Sequence, residues 1–202
     1  MRKPRLRVGA GAILCASALY LLLDYETLAA LLLAVAVHEL GHVLVLRLLG
    51  GRVRELRVGL TGLCITYTGR TGYAGQFFAA LAGPAAGLAF AFFAARLGRE
   101  WESGFCCLSA GISALLSAFN LLPALPLDGG RMLEAVLCAA LPLERAERAC
   151  ARVGTATGAV LLAAGLTLLW MGRGAALAIA AVWLLFSLPD SGQSLVKRAG
   201  VM

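Results

Sequence analysis

Charge is scarce in this chain: Asp, Glu, Lys and Arg supply 14% of its 202 residues and apolar residues 60%. Soluble domains run at about 25% charged and 45–50% apolar, so a soluble globular protein is excluded. A mean hydropathy of +0.85 puts the chain in a bilayer. Histidine is scarcer still, with two residues, His38 and His42. The six cysteines, Cys15, Cys64, Cys106, Cys107, Cys138 and Cys150, have no C-x-x-C spacing and imply no disulfide framework. They read as small buried hydrophobes, with Cys64 the nearest in sequence to the candidate site.

What is abundant is apolar sequence in long runs. Six stretches approach the length needed to cross about 30 Å of hydrocarbon: Val8–Leu23, Leu28–Leu49, Tyr73–Leu97, Phe105–Leu122, Val153–Met171 and Ala175–Leu188. The net charge of +7 does not require nucleic acid, because the basic residues alternate by side. They fall before the first run, between the second and third, between the fourth and fifth, and after the sixth, leaving Arg96, Arg99 and Arg173 for the opposite face. The positive-inside rule then puts both termini in the cytoplasm of a multi-pass cell-membrane protein, and six spans satisfy that parity. The first run could also be a signal peptide cleaved after Ala16-Ser17-Ala18. Apolar sequence continuing through Leu19–Leu23 favours an uncleaved span.

Both histidines lie in the second run, as His38-Glu39-Leu40-Gly41-His42. On a helix, residues i and i+4 share a face, so the two imidazoles can hold one metal ion, with Glu39 about 100° round near an open coordination position. The plainer alternative is hydrogen bonding of His and Glu to neighbouring helices. A carboxylate at mid-membrane costs about 2.5–3.5 kcal/mol on insertion scales, and such residues mark functional sites.

Catalytic zinc usually takes three protein ligands. No third histidine exists, and the extended H-E-x-x-H-x-x-G-x-x-H pattern fails because Val45 and Leu48 stand where Gly and His are needed. Glu55 falls on a strand-like segment, and Asp24, Glu26, Glu100 and Glu102 belong to the other side. Asp128 is the better candidate, in Asn120-Leu121-Leu122-Pro123-Ala124-Leu125-Pro126-Leu127-Asp128-Gly129-Gly130. Two prolines take that backbone off the helical path, which at membrane depth is tolerated only against protein or a wet cavity. The alternative is that Asp128 caps a short helix, Arg131–Leu141, with Gly129-Gly130 as a turn.

The two motifs in this order resemble those of the site-2 proteases, intramembrane zinc metalloproteases with an H-E-x-x-H and an N-x-x-P-x-x-P-L-D-G-G type segment. The similarity covers roughly residues 28–135, within a single membrane domain spanning 1–202, and includes Ala82-Gly83-Pro84 in the third run. Family members often carry Asn where Gly87 stands, which makes Gly87 a packing residue. The resemblance implies one Zn2+ held by His38, His42 and Asp128, with Glu39 as the base. Asn120 would lie beside the scissile peptide, and the substrate would be a membrane-associated protein. The short chain looks most like the compact branch that includes sporulation proteases releasing a membrane-tethered pro-transcription factor. No appended regulatory domain is visible, so regulation would come from partner membrane proteins.

The segment Arg52–Thr68 alternates apolar and polar residues about Thr61-Gly62 and predicts a cytoplasmic-side β-hairpin. Its edge could pair with unwound substrate by strand addition, or it could be a plain surface hairpin. The charged stretch Glu144–Arg152 reads as a solvated helix face. The expected fold is an all-α polytopic membrane protein of about six transmembrane helices with that hairpin. Rival functions are a membrane metal-ion transporter and a catalytically inactive scaffold of the same fold. A transporter should spread its polar residues along a path, and a scaffold has no need of Glu39.

Overall fold

The computed structural model describes residues 5–8, 17–59, 62–68 and 72–188. Much of the expected span Val8–Leu23 lies outside these residues; positions 17–22 of it are helical. Two compact units divide the chain, Met1–Asn120 and Leu121–Met202.

After the helical positions 17–22, the described residues of the first unit form the helices α1 (Tyr25–Leu48), α2 (Tyr73–Glu100) and α3 (Gly104–Asn120). It also contains strands β1 (Arg5–Val8), β2 (Arg52–Gly59) and β3 (Gly62–Thr68). The strands form one sheet in the order β1-β2-β3. β2 and β3 pair antiparallel from Arg52↔Thr68 to Gly59↔Gly62, with an irregularity between Val53 and Glu55. β1 was not expected; it pairs parallel to β2, with Arg5 opposite Glu55.

α1 begins where Asp24 caps it: Oδ1 accepts the Thr27 N–H at 2.9 Å and Oδ2 accepts the Thr27 hydroxyl at 2.6 Å. Glu26 in the first turn and Arg47 in the last suit the helix dipole. The helix stops at Gly50, whose φ of 76° is open to glycine at little cost. There the Gly51 N–H donates to Leu46 O and the Gly50 N–H to Arg47 O, the paired bonds of a Schellman motif. The Thr27 hydrogen bonds hold the Asp24 carboxyl below its ordinary pKa. The carboxylate cap therefore stabilises the helix above the unfolded pKa and is lost as pH falls through the lowered folded value. Accordingly, the Thr27 amide proton shift should titrate with that depressed midpoint, and Asp24→Ala should abolish the titration.

Within the first unit the helices meet through small residues. α1 buries a stripe at every fourth position, Ala30, Ala34, His38, His42 and Leu46, while α2 buries Ala79, Ala80, Gly83, Pro84, Gly87, Ala91, Ala94 and Gly98. Hydrocarbon offers no hydrophobic gain for helix association, so close backbone approach and polar contacts carry it. Gly41 lies against Ala82 O and the Ala86 methyl, where a Cβ would fall 2.5 Å and 2.8 Å away. Gly87 is the packing residue expected: a Cβ there would overlap Ser117 Oγ, and Gly87 O accepts the Ser113 hydroxyl at 2.9 Å. Outward residues such as Leu32, Leu40, Leu44, Leu48, Phe92 and Phe93 are exposed, as lipid-facing side chains would be.

The second unit contains α4 (Asp128–Ala140), α5 (Leu143–Trp170) and α6 (Ala176–Ser187). α5 meets α6 through glycine: a Cβ on Gly165 would strike the backbone of Ala178. A second Schellman end at Gly172, φ 71°, closes α5. Glu144, Arg145, Arg148 and Arg152 lie exposed on the first turns of α5, the solvated face expected of them.

α4 differs from the alternative considered, an Arg131–Leu141 helix capped by Asp128, because it starts at Asp128 itself. Leu127, with φ −65° and ψ 160°, is the N-cap, and Gly129-Gly130 are helical instead of forming a turn. The reason is crowding. The proline-broken loop lies so close that a Cβ on Gly129 would overlap the Leu121 and Leu122 carbonyls, and one on Gly130 would overlap the backbone of Ala124 and Leu125. The glycines admit the loop against the first turn.

Among the described residues three helices, α1, α2 and α5, are long and apolar enough to cross a membrane, and α3 and α6 are shorter apolar helices. The chain is a membrane protein.

Candidate metal centre

His38 and His42 are 5% and 8% exposed on the buried stripe of α1. His42 is fixed by α2. Its Nδ1 lies 2.7 Å from Ala79 O, and since a carbonyl can only accept, Nδ1 carries the proton and Nε2 keeps its lone pair. This is the support a metal-binding imidazole commonly receives. Gly83 makes room for the ring, because a Cβ there would overlap His42 Nε2.

The His42 and His38 Nε2 atoms are 3.2 Å apart. Two nitrogens each about 2.0–2.1 Å from one tetrahedral ion are separated by roughly 3.3–3.4 Å. The pair is thus already spaced as ligands of a common ion. Its rings meet edge to face, with centroids 4.9 Å apart.

Asp128 is 5% exposed and is the first residue of α4. The helix dipole favours a carboxylate at that end. Arg131 Nη1 is 3.9 Å from Oδ1 and on a side chain 45% exposed, which makes it a weak ion pair. His38, His42 and Asp128 are each buried. Two imidazoles and one carboxylate match the donor type of hydrolytic zinc sites.

Glu39, next to His38, is half-buried. Asn120 ends α3, and its Nδ2 donates to Leu116 O at 3.0 Å. That bond occupies one of the two amide hydrogens. Among the described residues Cys106, Cys107, Cys138 and Cys150 are free thiols. The side chain of Cys64 lies outside the described residues. Burial, reinforced by the charges of Glu134 and Glu147, raises the Cys138 thiol pKa and makes it a poor metal ligand. Ala79 and Gly83, which support His42, were not among the expected site residues.

The profile described as Peptidase M50B-like matches residues 11–127, and that of Peptidase family M50 matches residues 97–161. Among curated proteins none matches the chain. The fold is similar to that of the site-2 protease from Methanocaldococcus jannaschii, with a TM-score of 0.69 and 20% identity over 90% of this chain and 88% of that one. At that identity the likeness speaks for the fold. The M50B-like match extends over more than half of the chain and contains His38, Glu39, His42 and Asn120, and it ends one residue short of Asp128. The chain belongs to peptidase family M50, the site-2 protease type of membrane metalloprotease.

Proposed function

We propose that the chain is an intramembrane zinc endopeptidase that hydrolyses a peptide bond in or near the membrane segment of a substrate protein. The observation that carries this reading is the buried His38 and His42 pair on α1, with Nε2 atoms 3.2 Å apart beside a half-buried Glu39. In this reading the metal is one Zn2+ held by those three residues, and residues 1–202 act as one membrane domain with six spans and both termini cytoplasmic. The substrate is a membrane-tethered regulator, such as the pro-transcription factors released during sporulation, and partner membrane proteins control access.

Zinc, when bound, supplies Lewis acidity, which brings the pKa of water from 15.7 to about 7 and polarises a carbonyl. Glu39 accepts the proton of the attacking water and returns it to the leaving amine. The Nδ2 hydrogen of Asn120 not given to Leu116 donates to the substrate backbone or to its developing oxyanion. Exclusion of bulk water strengthens each of these interactions.

A helical substrate hides its peptide bonds and must be held extended. β2 lies between β1 and β3, so among the described strands the outer edge of β3 is open to strand addition. Proline introduced in turn at successive β3 positions should lower cleavage where it removes an outward N–H and leave metal content unchanged. Equal cleavage at every position would make the sheet a plain surface feature.

The test is co-expression with candidate single-span substrates, comparing wild type with Glu39→Gln. Cleavage by wild type alone supports the protease. Metal transport that persists in Glu39→Gln, with no cleavage by either, refutes it.

A further inference from the structure

α2 carries its only internal proline, Pro84, in the turn whose carbonyl holds His42. We propose that Pro84 is a positioning residue for His42, acting through the Ala79 carbonyl; the proposal rests on the reading of His42 as a metal ligand.

The helix runs unbroken from Tyr73 to Glu100, with Pro84 under 2% exposed. Proline has no N–H, so Ala80 O loses its intrahelical donor, and the pyrrolidine ring crowds that same carbonyl. A proline inside a helix favours opening of the turn before it, here Ala79 to Gly83, with carbonyls tilted away from the axis. Ala79 O lies in this turn and takes a second donor, His42 Nδ1, at 2.7 Å from the neighbouring helix. A carbonyl has two acceptor lone pairs, but one held along the axis of a straight helix presents the second poorly to a group from outside.

Two neighbours complete the device. Gly83, immediately before the proline, vacates the volume that the His42 ring fills. Gly41, immediately before His42, lies against Ala82 O and brings the backbones of α1 and α2 together at this turn. Acceptor, space and helix opening thus occupy six consecutive residues, Ala79 to Pro84, facing one imidazole. A proline serving only to shape α2 has no need to coincide with the carbonyl that orients a ligand.

Restoring an N–H at position 84 should close the turn and weaken the hold on His42. The full-length chain in detergent is therefore titrated with Zn2+ against a chelator and with Co2+ by visible absorption, as wild type, Pro84→Ala, Pro84→Val and Gly87→Ala. Outer-shell changes typically cost about 10–100-fold in metal affinity. That loss, with an altered Co2+ spectrum, is expected for both Pro84 variants provided they remain helical and monodisperse. Gly87→Ala disturbs α2 one turn further along, against Ser117, and should lower thermal stability while leaving affinity unchanged. Affinity within twofold of wild type in a folded Pro84 variant overturns the proposal, as does an equal loss in Gly87→Ala. Wild type that binds neither ion overturns the metal-site reading itself, a distinct result.

Discussion

Glu39→Gln is expected to reduce peptide hydrolysis by about 10²–10⁴-fold, the usual contribution of a positioned acid–base group, while the metal stays bound. Glutamine keeps the size and hydrogen-bonding reach of the side chain but cannot take a proton from water. In the proposed function Glu39 is the base and not one of the ligands His38, His42 and Asp128, so metal content should not change with it. Cleavage rates and metal content measured on the same preparation give the answer. Loss of both together would make Glu39 a ligand, and loss of neither would remove it from the chemistry.

Asp128→Asn should release the metal. The substitution leaves the α4 N-terminus and the glycines behind it intact but exchanges an anionic ligand for a neutral amide, and the donor set loses its only negative charge. The fall in affinity should exceed the roughly 10–100-fold typical of outer-shell changes, and activity should fall with it. A carboxylate serving only the helix dipole predicts something else, a stability loss of about 0.3–1 kcal/mol with unchanged metal content. Arg131→Gln is the companion control. Its guanidinium is 3.9 Å away on a side chain 45% exposed, so its removal should change metal affinity little.

The histidine pair was legible in the sequence because its geometry is local. Four residues on a helix fix the relative position of His38 and His42, and the 3.2 Å spacing follows. Asp128 is remote in sequence, and no periodicity relates it to α1. Its role rested on the proline-broken motif, and the residues alone left helix capping open. The alternative start of α4 at Arg131 came from the turn propensity of Gly129-Gly130, whereas the approach of the Leu121–Leu125 backbone is a tertiary fact. β1 was illegible for a similar reason: four residues carry little pattern, and the pairing of Arg5 with Glu55 is long-range. Ala82-Gly83-Pro84 was visible as a motif, but nothing in the sequence said that Gly83 faces His42, since helix phase relative to a neighbour is set by packing.

The central claim is that two imidazoles and the Asp128 carboxylate hold one ion. X-ray absorption combined with metal analysis of the purified chain tests it most directly, using wild type and Asp128→Asn. The account predicts one zinc per chain in wild type, with a nitrogen and oxygen shell at about 2.0–2.1 Å, and loss of zinc in the variant. A sulfur shell, or zinc retained in Asp128→Asn with the same shell, would contradict it.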